Sequence, residues 1–393
     1  MSLIKRIAAG AIALVVATMF WIPCVHLLFM RPVATFRQPI GLSPTARALA
    51  ARHLQLWTDP KLKEHEQAKM RSSNAEWDFM GRTFFVWSLA EMGLRDPVAR
   101  TDYLRVMDQI IAETIRLEKE RDITFFLMPY AKERSFVMQP ARSHFLDGEI
   151  ALMLASRRMV EEKAEYKPLL RELVDIMAQR MEQGKVLSAE SYPDECWTFD
   201  NAIALDAMRM ADQLDGTDHS SLIRRWVAMA KEKLIDPQSG LLISPYTVSG
   251  SVTYGPEGSS LWMIAHSLRL LDEDFAHDQY RRAHKELGRG MAGFAWATEW
   301  PASWKAPMTI DSGPVIPGLE ISAGASGMAF IGASSFGDDE YLCRLSATLD
   351  FSAFPSYEDG RLKYCASNQV GDAALLYAAV LGPLWEKVEG GKL

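Results

Sequence analysis

Apolar residues recur at helical spacing along most of this chain, and the stretches between them alternate in kind. Roughly twelve segments carry the pattern after an apolar N-terminus. They lie near 44–57, 77–93, 99–120, 142–158, 165–183, 199–213, 219–234, 258–271, 273–288, 319–336, 338–349 and 369–385. Some breaks are tight: Leu94-Arg95-Asp96-Pro97, Asp215-Gly216-Thr217-Asp218, Asp272 and Gly337-Asp338 hold the turn and N-cap residues that end one helix and start the next. The others are long, spanning 71–76, 122–141, 184–198, 236–257, 291–318 and 352–368. Long connections in a compact domain usually carry function.

If helices alternate between an inner and an outer ring, each segment after a long connection is inner, and the inner N-termini share one rim. The stretch Ile321-Ser322-Ala323-Gly324-Ala325-Ser326-Gly327-Met328-Ala329-Phe330 suits burial on every side. The stretch Leu222-Ile223-Arg224-Arg225-Trp226-Val227-Ala228-Met229-Ala230-Lys231 is amphipathic, as an outer helix should be. An α-solenoid would show a sequence repeat of fixed period, and none is visible. The expected fold is therefore all-α, a closed (α/α)6 barrel of six helical hairpins.

The N-terminus adds a second element. Lys5 and Arg6 precede a charge-free run from Ile7 to Met30, and Arg31 and Arg37 follow it. That run is long enough to span a bilayer. A cleaved signal peptide is the competing reading, but Ala17–Cys24 offers no clean small-x-small site. The expected organisation is a membrane anchor over 1–31, a linker over 32–43 and the barrel over 44–393, with the globular part facing outward.

Composition narrows the chemistry. The 393 residues are 48% hydrophobic and 24% charged with a net charge of −7, so a large core is within reach and no basic stripe invites nucleic acid. Cys24, Cys196, Cys343 and Cys365 form no CxxC pair, which argues against a zinc site, while a bridge between Cys343 and Cys365 stays open. No phosphate loop, dinucleotide fingerprint or HExxH motif occurs, so neither cofactor nor metal is expected. Acid/base work by carboxylates is what remains.

The densest candidate is Ser191-Tyr192-Pro193-Asp194-Glu195-Cys196-Trp197-Thr198-Phe199-Asp200-Asn201, immediately before an inner helix. A helix N-terminus favours an ionised carboxylate, whereas burial beside Tyr192 or Trp197 raises its pKa, and such contrasts separate an acid from a base. The plainer alternative is that Thr198 or Asp200 caps the helix and Trp197 is core. Tyr254-Gly255-Pro256-Glu257-Gly258-Ser259-Ser260 opens the next inner helix and turns Glu257 and Ser259 toward the same rim, or else Ser259 and Glu257 only organise the helix start. Asp311 follows a loop containing Trp296, Trp300 and Trp304 and either binds a hydroxyl or braces its turn. Asp78, Arg142 and His144 open two further inner helices, and His144 is either an acid/base group or structural.

These rim motifs bring a resemblance. Tyr192-Pro193-Asp194 through Asp200-Asn201, Leu214-Asp215-Gly216-Thr217-Asp218, Leu234-Ile235-Asp236-Pro237 and Leu271-Asp272-Glu273-Asp274-Phe275 resemble the central part of the bacterial linalool dehydratase/isomerase family, over roughly residues 140–350. The patterns W-x-x-D-N, P-x-G-S-S and D-S-G-P-V, at Trp197, Pro256 and Asp311, are similar to those of membrane-anchored relatives. The resemblance implies an (α/α)6 barrel on the outer side of the inner membrane, acting without a cofactor on an allylic terpene alcohol. It also implies a pocket with an acidic residue, tyrosines, a histidine and two cysteines. Here the two cysteine positions fall on Ser191 and Asp200, Cys196 matches neither, the tyrosine position falls on Ser259 and the histidine position near Arg142.

The function expected is a membrane-anchored lyase or isomerase with Asp200 and Glu257 as its acid/base pair. Asp78, Arg142, His144, Ser191, Tyr192, Asp194, Cys196, Trp197, Tyr254, Ser259 and Asp311 would contact the substrate. The expected partners are a small hydroxylated molecule with apolar surface and the membrane, and self-association stays open. A carbohydrate-active enzyme using the same two carboxylates, with tryptophans as stacking platforms, is the alternative; a surface binding protein is a third.

Overall fold

The computed structural model describes residues 3–304 and 312–390. Its helices are α1 (Leu3–Trp21), α2 (Val33–Phe36), α3 (Pro44–Thr58), α4 (Pro60–Ser73), α5 (Ala75–Arg95), α6 (Arg100–Glu120), α7 (His144–Val160), α8 (Lys167–Gln183), α9 (Thr198–Asp215), α10 (Ser220–Lys233), α11 (Gly258–Leu271), α12 (Glu273–Leu287), α13 (Ala323–Phe336), α14 (Asp339–Ser352), α15 (Gln369–Val380) and α16 (Pro383–Val388). The inner ring closes: α5 packs on α7, α7 on α9, α9 on α11, α11 on α13, α13 on α15 and α15 on α5. The amphipathic α6, α8, α10, α12 and α14 lie outside it, and α3 backs α15. The chain is thus an (α/α)6 barrel preceded by one apolar helix.

The inner helices are apolar almost all round because they have neighbours on every side. Every residue of α7 is buried. Small residues let the helices approach closely, and at Gly332 in α13 even a methyl group would come within 2.8 Å of the Trp262 ring in α11. The turn residues read from the sequence do their work: Gly216 and Gly337 take left-handed conformations at the ends of α9 and α13. Asp272 and Asp338 cap α12 and α14.

Among the described residues, four antiparallel pairs of short strands sit in the long connections: β1 (Cys196–Trp197) with β2 (Pro245–Tyr246), β3 (Gly288–Met291) with β4 (Phe294–Ala297), β5 (Val315–Ile316) with β6 (Ile321–Ser322), and β7 (Pro355–Glu358) with β8 (Arg361–Tyr364). Backbone bonds stitch the rim at three successive inner helices, α7, α9 and α11, each donating from its first residue to the connection that leads to the next. His144 donates to Glu190 at 3.0 Å, Thr198 to Ser244 at 2.9 Å and Gly258 to Glu299 at 2.6 Å.

Several expectations need correcting. The break at 71–76 is not long, since α4 runs through Ser73, α5 begins at Ala75 and only Asn74 separates them. Residues 319–322 belong to the β5–β6 hairpin rather than to a helix. The segment near 369–385 breaks at Leu381-Gly382, and α16 folds under the barrel against α5, α7 and α9, with Trp385 stacked 4.5 Å from His266. Glu91 fixes that reversal by accepting from the backbone of Gly382 and Leu384 at 3.1 and 2.9 Å. The linker expected over 32–43 runs along the barrel surface, where Phe36 packs on Phe330 and Leu42 is buried. All four cysteines are free thiols, including Cys343 and Cys365. The stretch Leu3–Leu28 is long and apolar enough to cross a membrane or to act as a signal sequence, and none of it packs inside the barrel.

Candidate active site

A cavity of about 110 Å³ opens among the inner N-termini, lined by Asp200, Glu257, Glu76, Tyr192, Trp197 and Ser259 together with Trp77, Tyr130, Met80 and Ser312. The connection before α9 is held rigidly. Asn201 donates to the carbonyls of Ala189 and Trp197 at 3.1 and 2.9 Å and accepts from the Ala189 amide at 2.9 Å, while Thr198 donates its hydroxyl to Ile243 at 2.5 Å. Those bonds fix Asp200 in the first turn of α9, with its side chain in the cavity. Glu257 reaches the cavity from the N-cap position of α11, and its amide donates to Ser244 Oγ at 2.9 Å.

Burial sets the chemistry of Asp200. Removed from water, its carboxyl is pushed up to about 7; the nearby Ser191 hydroxyl offsets part of that, short of a well-formed hydrogen bond, and the charge of Glu195 adds to it. A carboxyl that titrates near neutral pH is suited to giving or taking a proton there.

The aromatic side of the cavity is ordered by two carboxylates. Tyr192 stacks on Tyr130 at 4.6 Å, donates its hydroxyl to Glu76 and accepts from the Met128 amide at 2.8 Å. Trp197 donates its indole N–H to Glu195 at 2.6 Å, and the Tyr130 hydroxyl reaches the same oxygen at 3.3 Å. Burial, reinforced by Glu76, pushes the Tyr192 phenol far above its usual range, so it stays neutral.

A larger apolar chamber of about 380 Å³ adjoins the first and shares Trp77, Met80, Ser259 and Ser312 with it. Phe84, Pro314, Met328, Val370 and Ala374 line its far side. One end of the combined space is polar and acidic; the other is mostly apolar, with Ser367 and Asn368 as polar exceptions.

Not every residue expected at the site is there. Asp78 is wholly buried and paired with Arg82 at 3.0 Å, one residue pair in a structural cluster with Glu113. Arg142 turns to Asp147, with bonds of 2.8 and 2.6 Å, and faces a surface recess instead. His144 is buried in the wall and does not line the cavity, and burial beside Arg180 holds its imidazole well below the ordinary range. Asp194, in a left-handed conformation, braces the rim by accepting from the Val248 amide at 3.2 Å. Cys196 is a buried strand residue paired with Tyr246, and burial pushes its thiol up, away from the reactive thiolate. Ser191 is buried behind Asp200 and does not itself line the cavity, and Tyr254 stands at the surface, about a third exposed. Asp311 lies outside the described residues.

Two carboxylates were missed. Glu76 stands two residues before Asp78, and the helical turn points Glu76 rather than Asp78 to the cavity. Glu299 follows Trp296 and is buried behind Ser259. It accepts from the Ser259 amide at 3.0 Å, the Ser259 hydroxyl at 2.6 Å and the Ser322 hydroxyl at 2.5 Å, tying the starts of α11 and α13 together.

Comparison with known proteins adds to this geometry. The family model described as linalool dehydratase/isomerase matches residues 146–370. Unsaturated glucuronyl hydrolase from Bacillus sp. GL1 is similar in structure, with a TM-score of 0.51 at 12% identity over 78% of this chain and 86% of that one. A possible member of the GH105 family from Salmonella enterica subsp. enterica serovar Paratyphi A gives 0.50 at 13% identity, over 79% and 83%. At such identity the likeness concerns the (α/α)6 fold alone. Among curated proteins, none matches the chain.

Proposed function

Since the chain belongs to the linalool dehydratase/isomerase family, we propose that it is a membrane-anchored, cofactor-independent lyase or isomerase acting by acid/base chemistry on a small hydroxylated, partly apolar molecule such as a terpenoid alcohol. The observation that carries the reading is the cavity's division: Asp200 and Glu257 at one end, and a chamber of Met80, Met328 and Val370 at the other. The chamber's 380 Å³ falls within the range of small-molecule sites, about 300–1,000 Å³.

In the elimination direction, Asp200 gives its proton to the substrate hydroxyl, the C–O bond breaks and water leaves. Glu257 takes a proton from the neighbouring carbon, and the electron pair of that C–H bond becomes the new double bond. The two carboxyls end with exchanged protonation and reset through water, or by running the steps in reverse. Return of water to a different carbon makes the same pair an isomerase. A carboxyl poised near 7 serves both directions, because general acid/base catalysis is most efficient when the group titrates close to the working pH. Tyr192 and Trp197, held by Glu76 and Glu195, shape the polar end.

A ligand-bound structure tests this reading. The expected result is a substrate or product oxygen within hydrogen-bond distance of Asp200, with the carbon skeleton against Met80, Met328 and Val370. A sugar chain lying across the rim, with Asp200 and Glu257 flanking a glycosidic bond about 5–10 Å apart, would overturn it in favour of glycoside hydrolysis.

A further inference from the structure

Beside isolated exposed apolar residues such as Ile40, Val98 and Val137, the barrel exposes six of the described residues in the connections and helix end that follow α12. Met291 at the end of β3, Ile316 and Leu319 in the β5–β6 hairpin, Phe351 at the end of α14, and Phe354 and Tyr357 at the start of β7 are each 45% to 66% exposed. Scattered surface apolar residues need no explanation, but these are joined to one another and to the root of the apolar N-terminal helix. His26 packs edge-on to Phe294 at 6.2 Å, Phe29 to Phe351 at 5.2 Å, and Phe294 lies 5.2 Å from Phe351. Arg31 pairs with Asp350 at 2.7 Å. Trp296 in β4 donates to the Leu319 carbonyl at 3.0 Å, which joins the β5–β6 hairpin to the same patch. Phe354 presents its ring to solvent from a left-handed backbone conformation, φ 51°, that a bulky residue rarely adopts.

The inner ends of these same elements line the apolar chamber. Ser312 and Pro314 precede β5, Ala323 and Gly324 follow β6, and Ala366 and Asn368 follow β8; all face the space beside Ser259.

We infer that this aromatic and aliphatic collar rests in the membrane interface around the anchor, and that the β5–β6 and β7–β8 hairpins conduct an apolar molecule from the bilayer into the chamber. The inference rests on the anchor reading of residues 3–28 and on the proposed apolar end of the site. Aromatic residues with polar tips are enriched where a protein meets the headgroup region, and the exposed Tyr357 in β7 fits that zone. Burial of this surface adds to the hold of a single span. It also places the chamber beside the phase in which a partly apolar substrate concentrates.

The test uses the full-length protein in vesicles containing a lipid with a diazirine on its acyl chain, with labelled peptides mapped by mass spectrometry after photolysis. The expected result is adducts on residues 3–28 and on the collar, and none around Val98, an apolar residue 95% exposed in the turn between α5 and α6. Adducts on 3–28 with the collar unlabelled would overturn the inference while leaving the anchor reading intact. No adducts on either would overturn both, and equal labelling at Val98 would remove the collar's distinction. For the route, a diazirine-bearing alkanol preloaded in the vesicles should label Met80, Met328 or Val370. Chamber labelling only when the alkanol is supplied from water would overturn it.

Discussion

Replacing Asp200 by asparagine should stabilise the folded protein, and by an amount that grows with pH. Burial raises this carboxyl from 3.8 to about 7, so ionising it inside the protein is penalised relative to the unfolded chain. At ~1.4 kcal/mol per pH unit the penalty is roughly 4 kcal/mol once the pH exceeds both values. The sign follows from proton uptake. Below about 3.8 both states are protonated and the group costs nothing. Between 3.8 and 7 the unfolded chain ionises while the folded protein holds its proton, and wild-type stability falls as pH rises. Above about 7 the loss is complete. Asparagine cannot ionise and has nearly the shape of the protonated acid. Asp200→Asn should therefore unfold within about 1 kcal/mol of wild type at pH 4, and be more stable by up to about 4 kcal/mol at pH 8. Glu91 and Asp372, also raised by burial to about 7, contribute equally to both proteins and drop out of the difference. Urea unfolding of the two proteins in detergent across that pH range reads the effect. A stability difference that stays constant from pH 4 to pH 8 would show that Asp200 ionises normally, and would remove the basis for its role as an acid at neutral pH.

Three other outcomes follow from the same geometry. Glu299→Gln replaces a charged acceptor of three bonds at the starts of α11 and α13 and should cost about 2–3 kcal/mol, read as a lower thermal midpoint; an unchanged midpoint would refute its bracing role. Cys196 should resist a thiol reagent in the folded protein while Cys365 reacts, and labelling of Cys196 before unfolding would contradict its burial beside Tyr246. The full-length protein should fractionate with membranes and a chain lacking residues 1–31 should be soluble and folded, whereas recovery of the full-length product in the soluble fraction, cut beyond Cys24, would indicate a signal peptide.

The ring was legible because helical burial leaves a strong periodic trace. Stretches such as 150–155 are apolar all round because they are enclosed, whereas 321–330 begins as a strand and leaves Ala323 exposed; caps such as Asp272 and Gly337 mark tight turns by local chemistry alone. The rim was half legible. Asp200, Glu257, Tyr192, Trp197 and Ser259 stand at helix starts whose direction the topology dictates, and they line one cavity. At Asp78, Arg142 and His144 the same argument failed, because a helix start offers several directions and pairing partners decide among them. Arg82 draws Asp78 into the wall, Asp147 takes Arg142 and the wall encloses His144. Asp78 and Arg82 lie within one helix, so their spacing of four was a usable signal. Glu299 had no such signal, since its serine partners come from two other segments. Single residues also sufficed to hide α4 and the break before α16, where Asn74 and Gly382 redirect the chain.

Exchange of oxygen between a partly apolar alcohol and water tests the central claim most directly. With a ten-carbon allylic alcohol in ¹⁸O-water, reversible loss and return of the hydroxyl between Asp200 and Glu257 should place ¹⁸O in the recovered alcohol or its isomer. Asp200→Asn and Glu257→Gln should each slow that exchange by at least about 100-fold, the usual scale of a lost general acid or base. Exchange that persists at the wild-type rate in both variants, or ¹⁸O appearing instead at the reducing end of a cleaved oligosaccharide, would contradict the account.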